Sequence, residues 1–354
     1  MQSFIYNALP GRVIFGSGTI ATLKTEIERA GCKRALLLST PEQGAELKKI
    51  AASIGPLAAG IFAEATMHTP VDVTERAVKA AKDCNADCTV AFGGGSSTGL
   101  GKAIALRTDL TQIAIPTTYA GSEMTPIIGE TEGGKKTTQR TLKVLPEVVI
   151  YDVDFTLTLP PRLTVTSGTN AIAHAVEALY AQDRNPVVSM MAEQAIAALG
   201  RALPAIVSNP QDREARSEAL YGAWLCGVCL GSVGMALHHK LCHVVGGSFN
   251  LPHADTHTVI LPYAMAYNAK AAPEADQAVA RALGGRDGTS ALVGLAKKLN
   301  SPNSLKSLGM KESDIDIAAD YAVQNPYWNP RPIERGPIRA LLADAWAGNP
   351  PRVD

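Results

Sequence analysis

The sequence predicts two domains, an α/β half over residues 1–158 and an all-α half over residues 159–354. Three observations predict this. The first half alternates β-branched or leucine-rich runs with amphipathic stretches, the pattern of βα units building a mostly parallel sheet. After Pro160-Pro161 that pattern stops, and long Ala- and Leu-rich segments take over. A chain of 354 residues also exceeds one compact core and suits two.

In chain order, the expected strands cover residues 34–39, 59–63, 87–92, 112–115 and 148–151. Between them the 3.6-residue period predicts helices over 19–30, 43–54, 72–84 and 98–106, with Asp72 and Ser97 as caps. The uncharged run 219–237 is long enough to raise the question of a bilayer span. Its glycines, and the lack of an aromatic belt or basic flank, favour a buried central helix. Residues 325–332, Asn-Pro-Tyr-Trp-Asn-Pro-Arg-Pro, form a stiff segment suited to a wall or lid, or simply to joining helices.

Composition removes several function classes. Lys plus Arg (33) balance Asp plus Glu (33), so no global field attracts nucleic acid or an anionic membrane. Six cysteines are few for this length, and their apolar surroundings fit reduced thiols in a cytoplasmic protein. Cys226-x-x-Cys229 has neither a second pair nor an upstream strand, so it reads as core packing. The N-terminus lacks the basic and apolar pattern of a secretion signal.

Residues 87–102 read as a strand, a glycine turn and a helix. Gly93, Gly94 and Gly95, with Ser96, let backbone N–H groups approach an anion, and the helix that follows carries unpaired donors and a favourable dipole in its first turn. The turn is a candidate pyrophosphate cradle. It is no P-loop, because Gly101-Lys102 is followed by Ala103, where a magnesium-binding hydroxyl would stand. Thr117, Thr118, Tyr119 and Ser122 follow the next strand and could line the same groove. The second strand ends at Ser39 with no acid directly there to claim a ribose 2′-hydroxyl, so tolerance of both NADH and NADPH is expected. Lys143 is taken as a further cofactor contact.

Six of the seven histidines lie in the helical half, five of them between His238 and His257. Asn170 and His174 are four residues apart and share a helix face, as do His239 and His243. Such a cluster suits either a divalent cation or proton transfer and anion stabilisation by imidazoles. The acid close to the first pair is Glu177.

These motifs together resemble the iron-containing alcohol dehydrogenase superfamily and, within it, the maleylacetate reductase branch. The resemblance rests on Tyr6 with residues 10–18, the Gly93–Ser96 turn, Pro116–Glu123, Ser167–Tyr180, His238–His243, Leu251–His257 and Asn325–Pro332. It implies a Rossmann-like dinucleotide-binding domain followed by an all-α domain, in the dehydroquinate synthase-like architecture, and a homodimer. It also implies NAD(P)H-dependent reduction of the maleylacetate C=C bond to 3-oxoadipate during aromatic compound degradation. The metal-ligand positions of the superfamily fall on Asn170, His174, His239 and His253, and the neutral Asn170 argues against a required metal. The resemblance gives His243 as the candidate proton donor, with His174, His239 and His253 as donors to developing charge and Tyr327 closing the pocket. Arg140, Arg162 and Arg331, with Asn170, are candidate contacts for a dicarboxylate. A metal-dependent alcohol dehydrogenase and a non-catalytic dinucleotide-binding protein are the rival readings.

Overall fold

The computed structural model describes residues 3–353, apart from the side chain of Lys136. The chain divides into two compact units, Ala8–Leu159 and the remainder from Pro160, with the described residues before Ala8 grouped with the second.

In the α/β unit the elements are β1 (Arg12–Gly16), α1 (Leu23–Arg29), β2 (Ala35–Leu38), α2 (Gly44–Ile54) and β3 (Ala58–Phe62). They continue as α3 (Val71–Asp83), β4 (Cys88–Gly93), α4 (Gly95–Thr108), β5 (Thr111–Pro116), β6 (Ile127–Glu132), β7 (Lys135–Arg140) and β8 (Val148–Asp152). Six strands form one parallel sheet in the order β1-β8-β5-β4-β2-β3. Leu37 and Val90 face α1 and α2, packing on Leu23, Ile27 and Leu47. Their neighbours Leu36, Leu38 and Ala91 face Val73, Ala77, Leu100 and Ile104 of α3 and α4. This two-residue period with apolar side chains on both faces is why the strands read as continuous hydrophobic runs. The chain leaves β2 towards β3 and leaves β4 towards β5, so the order reverses between β2 and β4. In open α/β sheets, ligands bind beyond the carboxyl ends of strands at such a point.

Two helix starts differ from the sequence expectation. Helix α3 begins at Val71 after Pro70, which places Asp72 within its first turn, where a carboxylate suits the dipole. Helix α4 begins at Gly95 with Gly94 at the cap, leaving Ser97 inside and buried. The strand pattern also missed β1 at the sheet edge and the β6–β7 hairpin, whose turn uses Gly133 and Gly134 at positive φ.

The second unit is helical: α5 (Pro161–Tyr180), α6 (Pro186–Ser208), α7 (Arg213–Ser232), α8 (Leu237–Phe249), α9 (His253–Asn268), α10 (Pro273–Leu283), α11 (Gly288–Lys298), α12 (Asp314–Val323) and α13 (Arg335–Ala347). Helices α6 and α7 are capped by the side chains of Asn185 and Asp212, which accept from Val188 and Ala215 N–H. Gly222 lets α7 lie close on α6, since a Cβ there would come within 2.9 Å of the Leu199 side chain. By length and composition α6 could cross a membrane, yet it buries Ile196, Leu199, Leu203 and Ile206 within this packing. The run 219–237 is not one helix: α7 ends at Ser232, and α8 leaves it at 96°. The break is held by two carboxylates, Asp183 accepting from Gly234 N–H at 2.9 Å and Glu177 accepting from Ala236 and His238 N–H at 2.8 and 2.6 Å.

Candidate active site

The glycine turn follows β4. Gly93 adopts φ +140°, and a Cβ there would lie 2.4 Å from Ser97 Oγ and 2.5 Å from Gln43 Oε1, so the protein itself requires glycine. Gly95 differs, because nothing lies within 4 Å of its would-be Cβ. That open side, at the first turn of α4, is where an anion would meet the helix N-terminus. Thr117 N–H donates to Gly93 O at 3.0 Å, and Thr118 packs against Gly94, so the loop after β5 flanks the turn. Gln43, just past β2, donates to Thr117 Oγ1 at 3.0 Å. It closes the crevice from the other side of the switch point. Sequence reasoning missed Gln43, because nothing in a one-dimensional pattern brings residues 43, 93 and 117 together.

The remaining expected cofactor contacts divide. Ser96 and Ser122 are partly exposed beside these turns, and Ser39 is buried with its hydroxyl donating to Thr40 O. Tyr119 is fully buried, so its ring belongs to the interior and not to an open groove. Lys143 needs correction. It pairs with Asp109 at 2.7 Å, and its carbonyl accepts from Gln112 near the start of β5, at the amino ends of the strands and opposite the glycine turn. Lys102 is fully buried, donating from Nζ to oxygens of the 122–127 segment. Burial pushes its ammonium down to about 7, while nearby Glu123 pulls the other way.

In the helical unit, Asn170, His174 and Glu177 share one face of α5, His239 and His243 share one of α8, and His253 and His257 open α9. His174 and His239 stack with ring centroids 5.1 Å apart, and His239 lies 5.0 Å from His257 and 6.1 Å from His243. The rings of His253 and His257 are 4.3 Å apart. Beneath them His238 Nε2 meets His257 Nδ1 at 2.9 Å, both rings being buried. Burial, reinforced by neighbouring imidazoles, holds His174, His238 and His257 well below the usual histidine range, so these rings stay neutral.

Glu177 organises the cluster. The two backbone bonds noted above fix the start of α8, and Oε2 takes His239 Nδ1 at 2.6 Å. With Nδ1 committed to a carboxylate, His239 presents Nε2 to the site. That atom is buried without a hydrogen-bond partner, as are His174 Nδ1 and Asn170 Oδ1. His238 Nδ1 and His257 Nε2 of the same cluster are likewise unpartnered, and such unsatisfied polar atoms point to a ligand. Towards solvent, His243 Nδ1 meets Tyr327 Oη at 3.1 Å, so the proline-rich segment carries its tyrosine to the cluster. Lys240 donates to Gln324 O at 2.8 Å and lies 5.9 Å from the Tyr327 ring centre. This cation was passed over in the sequence, although it sits inside the His238–His243 motif.

The expected carboxylate-binding arginines are not equivalent. Arg162, at the start of α5, reaches Asp255 at 2.6 Å on the turn that carries His253 and His257. Arg331 needs correction: its guanidinium stacks 4.1 Å over the Tyr267 ring and donates to Tyr267 O, which commits it to packing. Arg140 ends β7 of the α/β unit.

A parallel sheet with a glycine cradle at its switch point, together with a helical unit bearing a histidine cluster, defines a nicotinamide-dependent oxidoreductase. The chain belongs to the iron-containing alcohol dehydrogenase family: residues 10–153 match its N-terminal model, "Iron-containing alcohol dehydrogenase", and residues 164–346 its C-terminal one, "Fe-containing alcohol dehydrogenase family, C-terminal". A maleylacetate reductase of Rhizobium sp. strain MTP-10005 is 56% identical over 351 residues, covering 99% of this chain and 100% of that one. The crystal structure of the Agrobacterium tumefaciens maleylacetate reductase is 55% identical with a TM-score of 0.97, covering 99% of this chain and 100% of that one. An iron-containing alcohol dehydrogenase from Corynebacterium glutamicum is 43% identical with a TM-score of 0.94, covering 98% of this chain and 97% of that one.

The family name raises a metal, and the residues here do not fit one tightly held. Asn170 contributes no charge, and the nearby buried carboxylate, Glu177, already accepts three hydrogen bonds. Among the described residues, the histidine-containing group whose donor atoms converge within 4.8 Å is His238, Cys242 and His257, which includes none of His174, His239 and His253.

Proposed function

We propose that this chain reduces the C=C bond of maleylacetate to 3-oxoadipate with NADH or NADPH, without a required metal, as a cytoplasmic homodimer acting in aromatic compound degradation. The observation that carries the mechanism is the Glu177–His239 pair, with Nε2 of His239 buried and unpartnered. Identity above 50% along the whole length to reductases of that name supports the substrate.

The residues suit conjugate reduction. The Gly93–Ser96 turn would hold the pyrophosphate of a reduced nicotinamide cofactor, which would supply the hydride for the alkene carbon β to the ketone. Negative charge then collects on the ketone oxygen, and catalysis is greatest where donors are already aimed at it. His239 donates from Nε2 to that oxygen, and Glu177 balances the charge the ring carries when doubly protonated. Asn170 and His174 complete the polar wall, and His253 stands at its exposed rim. The carbon α to the ketone takes a proton from His243, which exchanges with solvent and is oriented by Tyr327. Arg162, which would have to leave Asp255, and Lys240 are the cations we assign to the two carboxylates. Substrate, hydride and one proton thus give 3-oxoadipate and oxidised cofactor.

Following NADH and NADPH absorbance with maleylacetate, and then with simple aldehydes and alcohols, tests the reading. Turnover of maleylacetate alone supports it. Turnover only of aldehydes or alcohols, or cofactor binding without turnover, overturns it.

A further inference from the structure

We propose that Lys102 is a positioning residue for the nucleotide cradle, tying α4 to the loop after β5 so that the two phosphate-facing segments hold one geometry. The sequence sets Gly101-Lys102 behind the glycine turn, and the structure commits this lysine to oxygens of the protein itself. Its Nζ donates to Ser122 O at 2.6 Å, to Thr125 O and Oγ1 at 2.8 and 2.9 Å, and to Ile127 O at 2.8 Å. An ammonium brings three N–H donors to these four oxygens, whereas a neutral amine brings two. The protonated form therefore satisfies more of these oxygens, which works against the pull of burial. Glu123 compensates the charge from within the same segment, and its carboxylate is itself held by Tyr151 Oη at 2.8 Å.

All four acceptors belong to the far end of the loop whose near end flanks the cradle. Thr117 fixes that near end through Gly93 O and Gln43. The loop is thus pinned at both ends, at one by the turn it serves and at the other by the helix that the turn begins. Without the ammonium, Thr125 O and Ile127 O lose this donor, and Ser122 O falls back on Thr125 N–H and Oγ1–H, so the tie between α4 and the loop is lost while the loop's own turn remains. Buried acceptors left unpaired drive a rearrangement.

The inference rests on the reading of residues 93–96 and 117–122 as the cofactor site, and the experiment separates the two. Cofactor dissociation constants, kcat and the KM for maleylacetate are measured for Lys102→Met, Thr125→Val and Gly95→Asp, with circular dichroism and thermal melts. Gly95→Asp has room for its side chain and sets a negative charge in the cradle, so it abolishes cofactor binding if the site reading holds. Lys102→Met is expected to weaken cofactor binding about tenfold while kcat at saturating cofactor stays within about threefold, because the loop and not the chemistry is disturbed. Thr125→Val, isosteric and removing one of the four acceptors together with the hydroxyl's own bond to Ser122 O, is expected to weaken binding about threefold. A folded Lys102→Met with unchanged cofactor affinity refutes the positioning role while the cofactor site stands, as does a kcat loss without an affinity loss. Should Lys102→Met not fold, unchanged affinity in Thr125→Val refutes it equally. Normal binding by Gly95→Asp sinks the site reading and this inference with it.

Discussion

Replacing Glu177 with glutamine removes one charge and almost no volume, at a residue with no exposed surface. The carboxylate accepts three N–H groups, those of Ala236, His238 and His239 Nδ1. With its carbonyl in place of Oε2, the amide keeps two of them but turns its NH2 towards the His238 N–H, leaving two donors facing each other in the interior. One buried unsatisfied donor costs about 1–3 kcal/mol, and the retained bonds lose their charge assistance, so a loss of about 2–5 kcal/mol is expected. For a domain of this size that lowers Tm by roughly 5–15 °C. His239 also loses the partner that fixes its tautomer, and kcat should fall by about 10²-fold with cofactor affinity unchanged. Differential scanning calorimetry and steady-state kinetics on the same preparation read both effects. A folded Glu177→Gln enzyme with kcat within threefold of wild type would refute the role given to this pair.

His243→Ala should cut turnover by about 10²-fold or more while cofactor binding holds, and wild-type rates in stopped-flow assays would remove it as proton donor. Tyr327→Phe, which deletes the hydroxyl against His243 Nδ1, should have a smaller effect on kcat and displace its pH profile; a superimposable profile argues that the contact only packs. Stability should fall on acidification. Since His174, His238 and His257 have folded values well below about 6.5, the unfolded chain takes up protons first; their contribution is complete above about 6.5 and drains away as pH falls towards the folded values, by up to about 1.4 kcal/mol per unit for each ring. Urea midpoints that stay level from pH 7.5 to 5 would contradict neutral burial of these rings. Dialysis against a strong chelator should leave maleylacetate reduction intact, whereas loss reversed by iron or zinc would show that a metal is needed.

The fold class was legible because each of its signals is local. Leu36, Leu37 and Leu38 announce a two-sided strand, and the change of period after Pro160 marks where strands cease. What escaped was non-local. Strand β1 borrows its place from β8, 132 or more residues away in sequence, and nothing in Arg-Val-Ile-Phe-Gly alone distinguishes an edge strand from a loop. The helix break after Ser232 depends on Asp183 and Glu177 reaching across to backbone N–H groups, which periodicity cannot register. At the site, histidine spacing placed the rings on common faces. Their ranking did not follow from spacing: Glu177 was noted only for its nearness to a possible metal, yet it orients His239 and begins a helix. Lys143 and Arg331 failed for a shared reason. A cation near a motif in sequence can be satisfied elsewhere, here by Asp109 and by the Tyr267 ring.

Five of the six cysteines are buried and all are free thiols, with Cys226 and Cys229 in the packed interior of α7 and Cys242 beside His238. Burial drives these three thiols upward, away from the reactive thiolate. An alkylating reagent therefore reaches them only when α7 or α8 opens, and its labelling rate becomes a clock for that opening. Cys242 ticks at the histidine cluster and Cys226 deep in the bundle, so comparing the two distinguishes local breathing around bound substrate from unfolding of the helical unit as a whole.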